Sequence, residues 1–259
     1  VDLVDLQKDG AHTCSVEGLD LRICDTMNDI DYLINFPVLK GHCQTKMTCA
    51  LKNLKGCIPN EEKRRFHSLG LHRPIAYLNK AVRSDLIVVD GLVGDLDFEE
   101  GGNPVQMDRI IVGTDPVLVD SYVAHLMGWE PGDIPYIGLA ERIGVGRVFG
   151  PSSEVVVLNA QHTTARIKPT RQVQELARYI EENQACSACY GSLIHALGRL
   201  QERGLLHRAP RGIVIGQGFQ GQGGQGFGVG RCTGGFDSYI KGCPPTAKAI
   251  LDFLQDHLE

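Results

Sequence analysis

Residues 109–131 read RIIVGTDPVLVDSYVAHLMGWEP, and this stretch restricts the fold more than any other. A short β-branched run gives a strand, Asp115-Pro116 gives a turn, and the apolar spacing that follows gives a helix. Asp115 is placed to cap that helix, with Pro116 at its first position. A strand that leads through a tight turn into a helix is the repeating unit of α/β proteins. The neighbouring segments agree. DYLINFPVL (Asp31 to Leu39) reads as a buried strand ending at Lys40. CALKNLKGC has helical spacing at Ala50, Leu51 and Leu54, with Gly56 as its stop. SDLIVVDGL is a continuous apolar run suited to a central strand buried on both faces. The expected fold is therefore α/β, with a mostly parallel or mixed sheet flanked by helices, and a smaller carboxyl-terminal α/β unit carrying a metal-binding loop.

The boundary between the two is expected in GRVFGPSSE (Gly146 to Glu154), where Gly, Pro and Ser cluster, so that residues 1–150 form the first domain and 151–259 the second. The second begins with a strand, EVVVLNA. A helix follows from Thr170 through RQVQELARYIEENQAC. In the next helix Tyr190, Leu193, Ile194, Leu197 and Leu200 share one face. RGIVIG is a strand, and TAKAILDFLQDHL is a closing helix entered from Pro244-Pro245. Between them lies a Gly/Gln-rich loop, Gly216 to Gly230. It contains GQGFQG, formally G-x-G-x-x-G, but more glycines follow where a dinucleotide fingerprint needs a helix.

Composition matters here for what it excludes. A net charge of −5 offers no basic field for nucleic acid, and no apolar run approaches the ~18 residues of a membrane span. Nine cysteines are many for 259 residues, and an odd number leaves one over from any complete disulfide framework. A chain this long buries enough apolar surface to fold without disulfides. A reducing, cytoplasmic location is expected, and the thiols then need another role.

Four of them suggest one. Cys186 and Cys189 form the C-x-x-C pair CSAC; 42 residues separate Cys189 from Cys232 in RCTGG, and 10 separate Cys232 from Cys243 in GCPP. A C-x-x-C pair at a helix end presents two thiolates on one side of a turn. Glycines beside the other two let backbone pass close to sulfur, and a proline directly after a ligand cysteine recurs in iron–sulfur sites. The expected cofactor is a [4Fe-4S] cluster on Cys186, Cys189, Cys232 and Cys243. Zinc is the alternative metal, although structural zinc sites more often use two close pairs. This pattern resembles the cluster-binding motif in the small subunits of nickel–iron hydrogenases and the related subunit of respiratory complex I, over about 60 residues. The C-x-x-C version is nearer to the hydrogenase one. The resemblance implies cluster binding and not hydrogenase activity.

A second resemblance lies upstream. The Leu-Lys-x-His stretch at Lys40 and His42, the Ala-Leu-Lys-Asn-x-x-Gly helix at Lys52 and Asn53, the Val-Asp-Gly turn at Asp90, and the Thr-Asp-Pro-x-x-x-Asp segment at Asp115 and Asp120 resemble the domain of unknown function 362 family, over roughly residues 30–150. Members commonly carry iron–sulfur cysteines and further sequence ahead of the part matching Val1, which implies that an amino-terminal portion is missing here. Physically, Lys40, His42, Lys52, Asn53, Asp90 and Asp120 form a candidate polar site at the carboxyl end of a strand, where open α/β sheets bind ligands. Two lysines and a histidine suit a small anion, and the carboxylates suit a hard metal or charge balance. The alternative is an internal Lys52–Asp120 ion pair. His67 and His72 read as loop surface, and Cys43, Cys49 and Cys57 as packing. The leading expectation is an iron–sulfur redox protein, an oxidoreductase or an electron-transfer component, whose partner is a redox protein or a small anionic ligand. The alternatives are a ligand-binding or transferase-like protein with structural zinc, and a metallocofactor assembly factor.

Overall fold

The computed structural model describes residues 1–95, 104–159 and 172–258. Of these, 1–66, 70–95 and 104–159 form one compact unit, and 67–69 with 172–258 form a second. The first unit thus runs past the boundary expected at Gly146–Glu154.

The first unit opens with a hairpin of β1 (Ala11–Val16) and β2 (Leu19–Cys24). Its two-residue turn places Glu17 and Gly18 at φ of 48° and 74°, the left-handed pair that matches the twist of a hairpin. The main sheet follows: β3 (Ile34–Asn35), β4 (Val38–His42), β5 (Lys46–Thr48), β6 (Leu86–Asp95) and β7 (Pro104–Gly113). β3 and β4 both run parallel to β6, while β7 and β5 are antiparallel to β6 and β4. The helices are α1 (Ala50–Asn53), α2 (Asn60–Ser68), α3 (His72–Ala81), α4 (Pro116–Leu126) and α5 (Pro135–Arg142). The sheet is mixed and flanked by helices, as the sequence implies. Asp115 caps α4 by accepting from Val117 N and Leu118 N, both at 2.9 Å, with Pro116 at the first position.

Three strand expectations are corrected. Asp31–Leu39 is not one buried strand: Pro37, which lacks an N–H, separates β3 from β4. β6 is buried on one face only. Ile87 and Val89 point into the core with Leu51, Phe66 and Val117, while the other face of the sheet leaves Ile34, Val38, Ile110 and Val112 at 46–62% exposure. Residues 154–159 form no strand, and Val155 to Leu158 are exposed; among the described residues no neighbour pairs with them. His67 and His72 are corrected as well. His67 is buried in α2, and His72 lies in α3 with its ring 5.9 Å from that of Tyr136.

The second unit contains α6 (Gln172–Ala177), β8 (Ile180–Glu182), α7 (Ser187–Glu202), β9 (Ile213–Ile215), β10 (Gly223–Val229), β11 (Gly235–Ile240) and α8 (Ala247–Gln255). Its four strands lie in the order β11-β10-β9-β8, and every pair is parallel. Tyr190, Leu193, Ile194, Leu197 and Leu200 are buried along α7 as their spacing implies. The helix expected from Thr170 to Cys186 is shorter: its described part ends at Ala177, and Ile180 instead pairs with Ile213. The Gly/Gln stretch is not all loop, because half of it is β10. A side chain at Gly223 would stand 2.5 Å from the Gly235 carbonyl oxygen, so this pairing of β10 with β11 needs glycine.

Candidate functional site

In a parallel sheet every strand ends at the same edge, and open α/β sheets bind ligands there. The four cysteines follow from that topology. β8 ends at Glu182 and leads to Cys186, the residue that precedes α7, with Cys189 in the first turn of α7. β10 ends at Val229 and leads through Gly230 and Arg231 to Cys232. β11 ends at Ile240 and leads to Cys243. Three strand ends therefore carry all four thiols to one edge.

The loops at this edge hold each other. Gly230 N donates to the Ile240 carbonyl at 3.0 Å and Arg231 N to the Gly242 carbonyl at 2.9 Å, which fixes the Cys232 turn beside the approach to Cys243. Gln217 N and Gly218 N donate to the Gln184 and Asn183 carbonyls, tying the exit of β9 to the turn before Cys186. Thr233 is buried, and its hydroxyl donates to the Gly230 carbonyl at 2.9 Å. Gly230 has φ of 91°, and a Cβ on it would stand 3.8 Å from Cys189 Sγ.

The thiols feel one another. Burial pushes Cys189 up to about 12, and the charges of Cys186, Cys243 and Cys232 push in the same direction. Burial also raises Cys232, followed by the charge of Cys243, with Arg231 acting the other way. Cys189 thus lies within electrostatic reach of all three others. Four thiols so grouped oppose each other's ionisation, and a cation among them would reverse that preference. The donor set suits a thiophilic centre. Among the described residues, no three His, Cys, Asp or Glu side chains are drawn together as ligands of a single ion.

In the first unit the candidate polar residues divide. Lys40 on β4 lies directly opposite Thr48 on β5 and opposite Asp95 on β6, and residues directly opposite share a face. Lys52 is buried and its Nζ donates to Thr48 Oγ1 at 3.0 Å. Thr48, which bonds Lys52, and Asp95, opposite Lys40, thus adjoin two of the candidate residues, and the sequence reading omitted both. Asp95 meets Lys40 through cross-strand register, which spacing along the chain does not contain, whereas Thr48 stands four residues before Lys52. His42 is buried two residues beyond Lys40, and its Nδ1 accepts from Gln44 N and Thr45 N at 3.1 Å each. In the neutral ring the proton is then on Nε2.

The other three residues have these partners. Asn53 donates to Asn35 Oδ1 at 2.8 Å. Asp90 lies on the exposed face of β6 and accepts from Leu92 N at 3.1 Å. Asp120 is fully buried, and its Oδ2 accepts from Leu51 N at 3.2 Å at the start of α1. Burial raises its carboxyl to about 7, while the Cys49 thiol and the Leu51 and Ala50 amides pull the other way. The Cys49 thiol is in turn raised by burial and by Asp120.

These units, a one-sided mixed sheet and a parallel sheet with four thiols at its carboxyl edge, define an α/β protein with a candidate thiolate centre. Residues 1–125 match the family Domain of unknown function (DUF362), so the family resemblance holds for the amino-terminal half of the chain. A thylakoid-associated protein of Synechocystis sp. is 30% identical over 136 residues, which is 48% of this chain and 41% of the relative. The chain therefore spans about two fifths of that relative's length. No solved structure matches.

Proposed function

We propose that the protein is an iron–sulfur redox protein whose second unit holds one [4Fe-4S] cluster on Cys186, Cys189, Cys232 and Cys243. The observation that carries this reading is the delivery of all four thiols to one edge by the ends of β8, β10 and β11, with Cys189 in reach of the other three. A bound cluster of this kind supplies one-electron transfer. The chain's own residues do the rest. The amino-terminal end of α7 places the positive end of its dipole beside Cys186 and Cys189 and favours their thiolates. Arg231 balances negative charge at Cys232. Gly230 leaves free the space next to Cys189 Sγ that a side chain would take.

In the first unit, Lys40, Lys52 and Thr48 form the seat of a small anionic ligand. The protein acts as an oxidoreductase or an electron-transfer component with a redox partner protein. It works in the cytoplasm, where thiols stay reduced; all nine of its cysteines are unbridged. No helix among the described residues is long and apolar enough to cross a membrane. The relative's thylakoid association would mean, for this chain, association with a membrane surface.

The test is anaerobic purification followed by iron and acid-labile sulfide quantification, with electron paramagnetic resonance on the reduced protein. A brown protein absorbing near about 400 nm, with about four irons per chain, is expected. A colourless protein with one zinc per chain would overturn the reading.

A further inference from the structure

The four cysteines occupy the carboxyl edge of the second unit's sheet. A separate cavity of about 740 Å3 lies toward the other end, bounded by His207, Arg208, Pro210, Arg211, Phe227 and His257. Arg211 precedes the start of β9, and His257 follows the end of α8, whereas Cys243 precedes the start of α8. The nine residues of α8, about 14 Å of helix, stand between the two places. Nothing in the thiolate centre uses these side chains.

The lining is unusual in charge. The chain as a whole carries −5, yet the described residues around this cavity include two arginines and two histidines and no carboxylate. Arginine keeps its charge at any working pH and presents a planar fork to phosphate. The backbone of this segment and the side chains of Arg211 and His257 are held in place. Arg208 N and Ala209 N donate to the Leu205 and Leu206 carbonyls at 3.1 and 3.0 Å, so two successive turns fix this segment. The Arg211 guanidinium stacks 5.0 Å from the Tyr179 ring centre. His257 Nδ1 donates to the Phe253 carbonyl at 2.8 Å, and its ring meets Phe227 edge-on at 5.1 Å. A held, cation-lined wall costs less ordering on binding than a mobile one.

The size selects the ligand class. The cavity is within the range of about 300–1,000 Å3 that takes organic small molecules and is far larger than one phosphate needs. Phe227, beside Pro210 and the His257 ring, supplies an apolar wall for a planar body. We propose that this cavity binds a small organic phosphate, with Arg208 and Arg211 on the phosphate and Phe227 against the organic part.

The experiment is titration calorimetry on the full chain with ADP and with inorganic pyrophosphate as probes. Saturable ADP binding is expected at about 20 mM salt, weaker at about 200 mM as exposed charges are screened. Arg208→Gln with Arg211→Gln should weaken both probes at least tenfold, the loss expected of charge-assisted bonds. Phe227→Leu should weaken ADP and leave pyrophosphate unchanged. Circular dichroism and the urea midpoint of each variant check that it folds, and Arg211→Lys, which keeps the charge, should retain more ADP affinity than Arg211→Gln. Iron content should be the same in all variants, which separates this site from the cysteine reading. Absence of saturable ADP binding up to about 1 mM at low salt would overturn the proposal. So would equal affinity in the double variant, or pyrophosphate binding as tightly as ADP with no effect of Phe227→Leu.

Discussion

Asp120→Asn is the substitution whose consequence can be worked furthest. Asp120 is fully buried, and burial raises its carboxyl from 3.8 to about 7 in the folded protein. A carboxyl raised on folding stabilises the native state in its protonated form. That stability is complete below the unfolded value, declines as pH rises through the interval, and is gone above the folded value. A gap of about three pKa units at 1.36 kcal/mol each is worth about 4 kcal/mol, of which roughly 3 kcal/mol falls between pH 5 and 8. Asparagine keeps a carbonyl oxygen for the Leu51 amide and does not titrate. The stability of the wild type minus that of Asp120→Asn should therefore fall by about 3 kcal/mol from pH 5 to pH 8. Taking the difference removes the titration of every other group. Trp129, the single tryptophan, packs on the core of the first unit with Lys46 Nζ 4.5 Å from its ring centre. Urea unfolding followed by its fluorescence thus reports on the unit that contains Asp120. A difference that stays flat to within about 0.5 kcal/mol over this range would refute the argument.

Other outcomes are expected. Cys243→Ser should strip or convert the cluster, because a neutral hydroxyl replaces thiolate poorly on iron, whereas Cys43→Ser should leave iron content unchanged; equal iron in the two variants would show that the wrong cysteines have been chosen. In Cys243→Ser, limited proteolysis should cut first between Gly216 and Cys243, since binding energy for metal is folding energy for the loops that hold it; first cleavage within residues 30–95 would count against this. Asp115→Ala loses acceptors for Val117 N, Leu118 N and Arg147 N and should cost about 1–2 kcal/mol in the Trp129 unfolding assay; no measurable change would mean that water replaces the cap.

Elements fixed by neighbours in sequence were legible, and those fixed by distant neighbours were not. The cap of α4 involves residues two and three positions apart, so Asp115-Pro116 announces it. The buried stripe of α7 is a local period. The sequence of β8 reads as helix because Ile180 gains its strand pairing from Ile213, 33 positions away. β10 carries glycine where a strand pattern needs alternating side chains, so its sequence looks like loop. The exposed face of β6 could not be anticipated from an apolar run that periodicity alone cannot assign to one face or two. The polar site shows the same division. Thr48, four residues before Lys52, is a local partner open to sequence reading, whereas Asp95 joins Lys40 only through register. Asp120, 68 positions from Lys52, reaches α1, the helix that contains Lys52, through the Leu51 amide.

The cysteine edge was legible for a reason of topology. Parallel strands return to the same edge each time, so residues a few positions past successive strands meet without any long-range pairing of their own. Cys186 follows the end of β8 by four positions, Cys232 follows β10 by three, and Cys243 follows β11 by three. These offsets place each of the three just past the carboxyl end of its strand. β9 contributes no cysteine; its exit is glycine, and the amides of Gln217 and Gly218 tie it across to the β8 turn. The spacing of the four cysteines therefore reflects the strand ends, and the same motif in a sheet with an antiparallel member would send one thiol to the opposite edge.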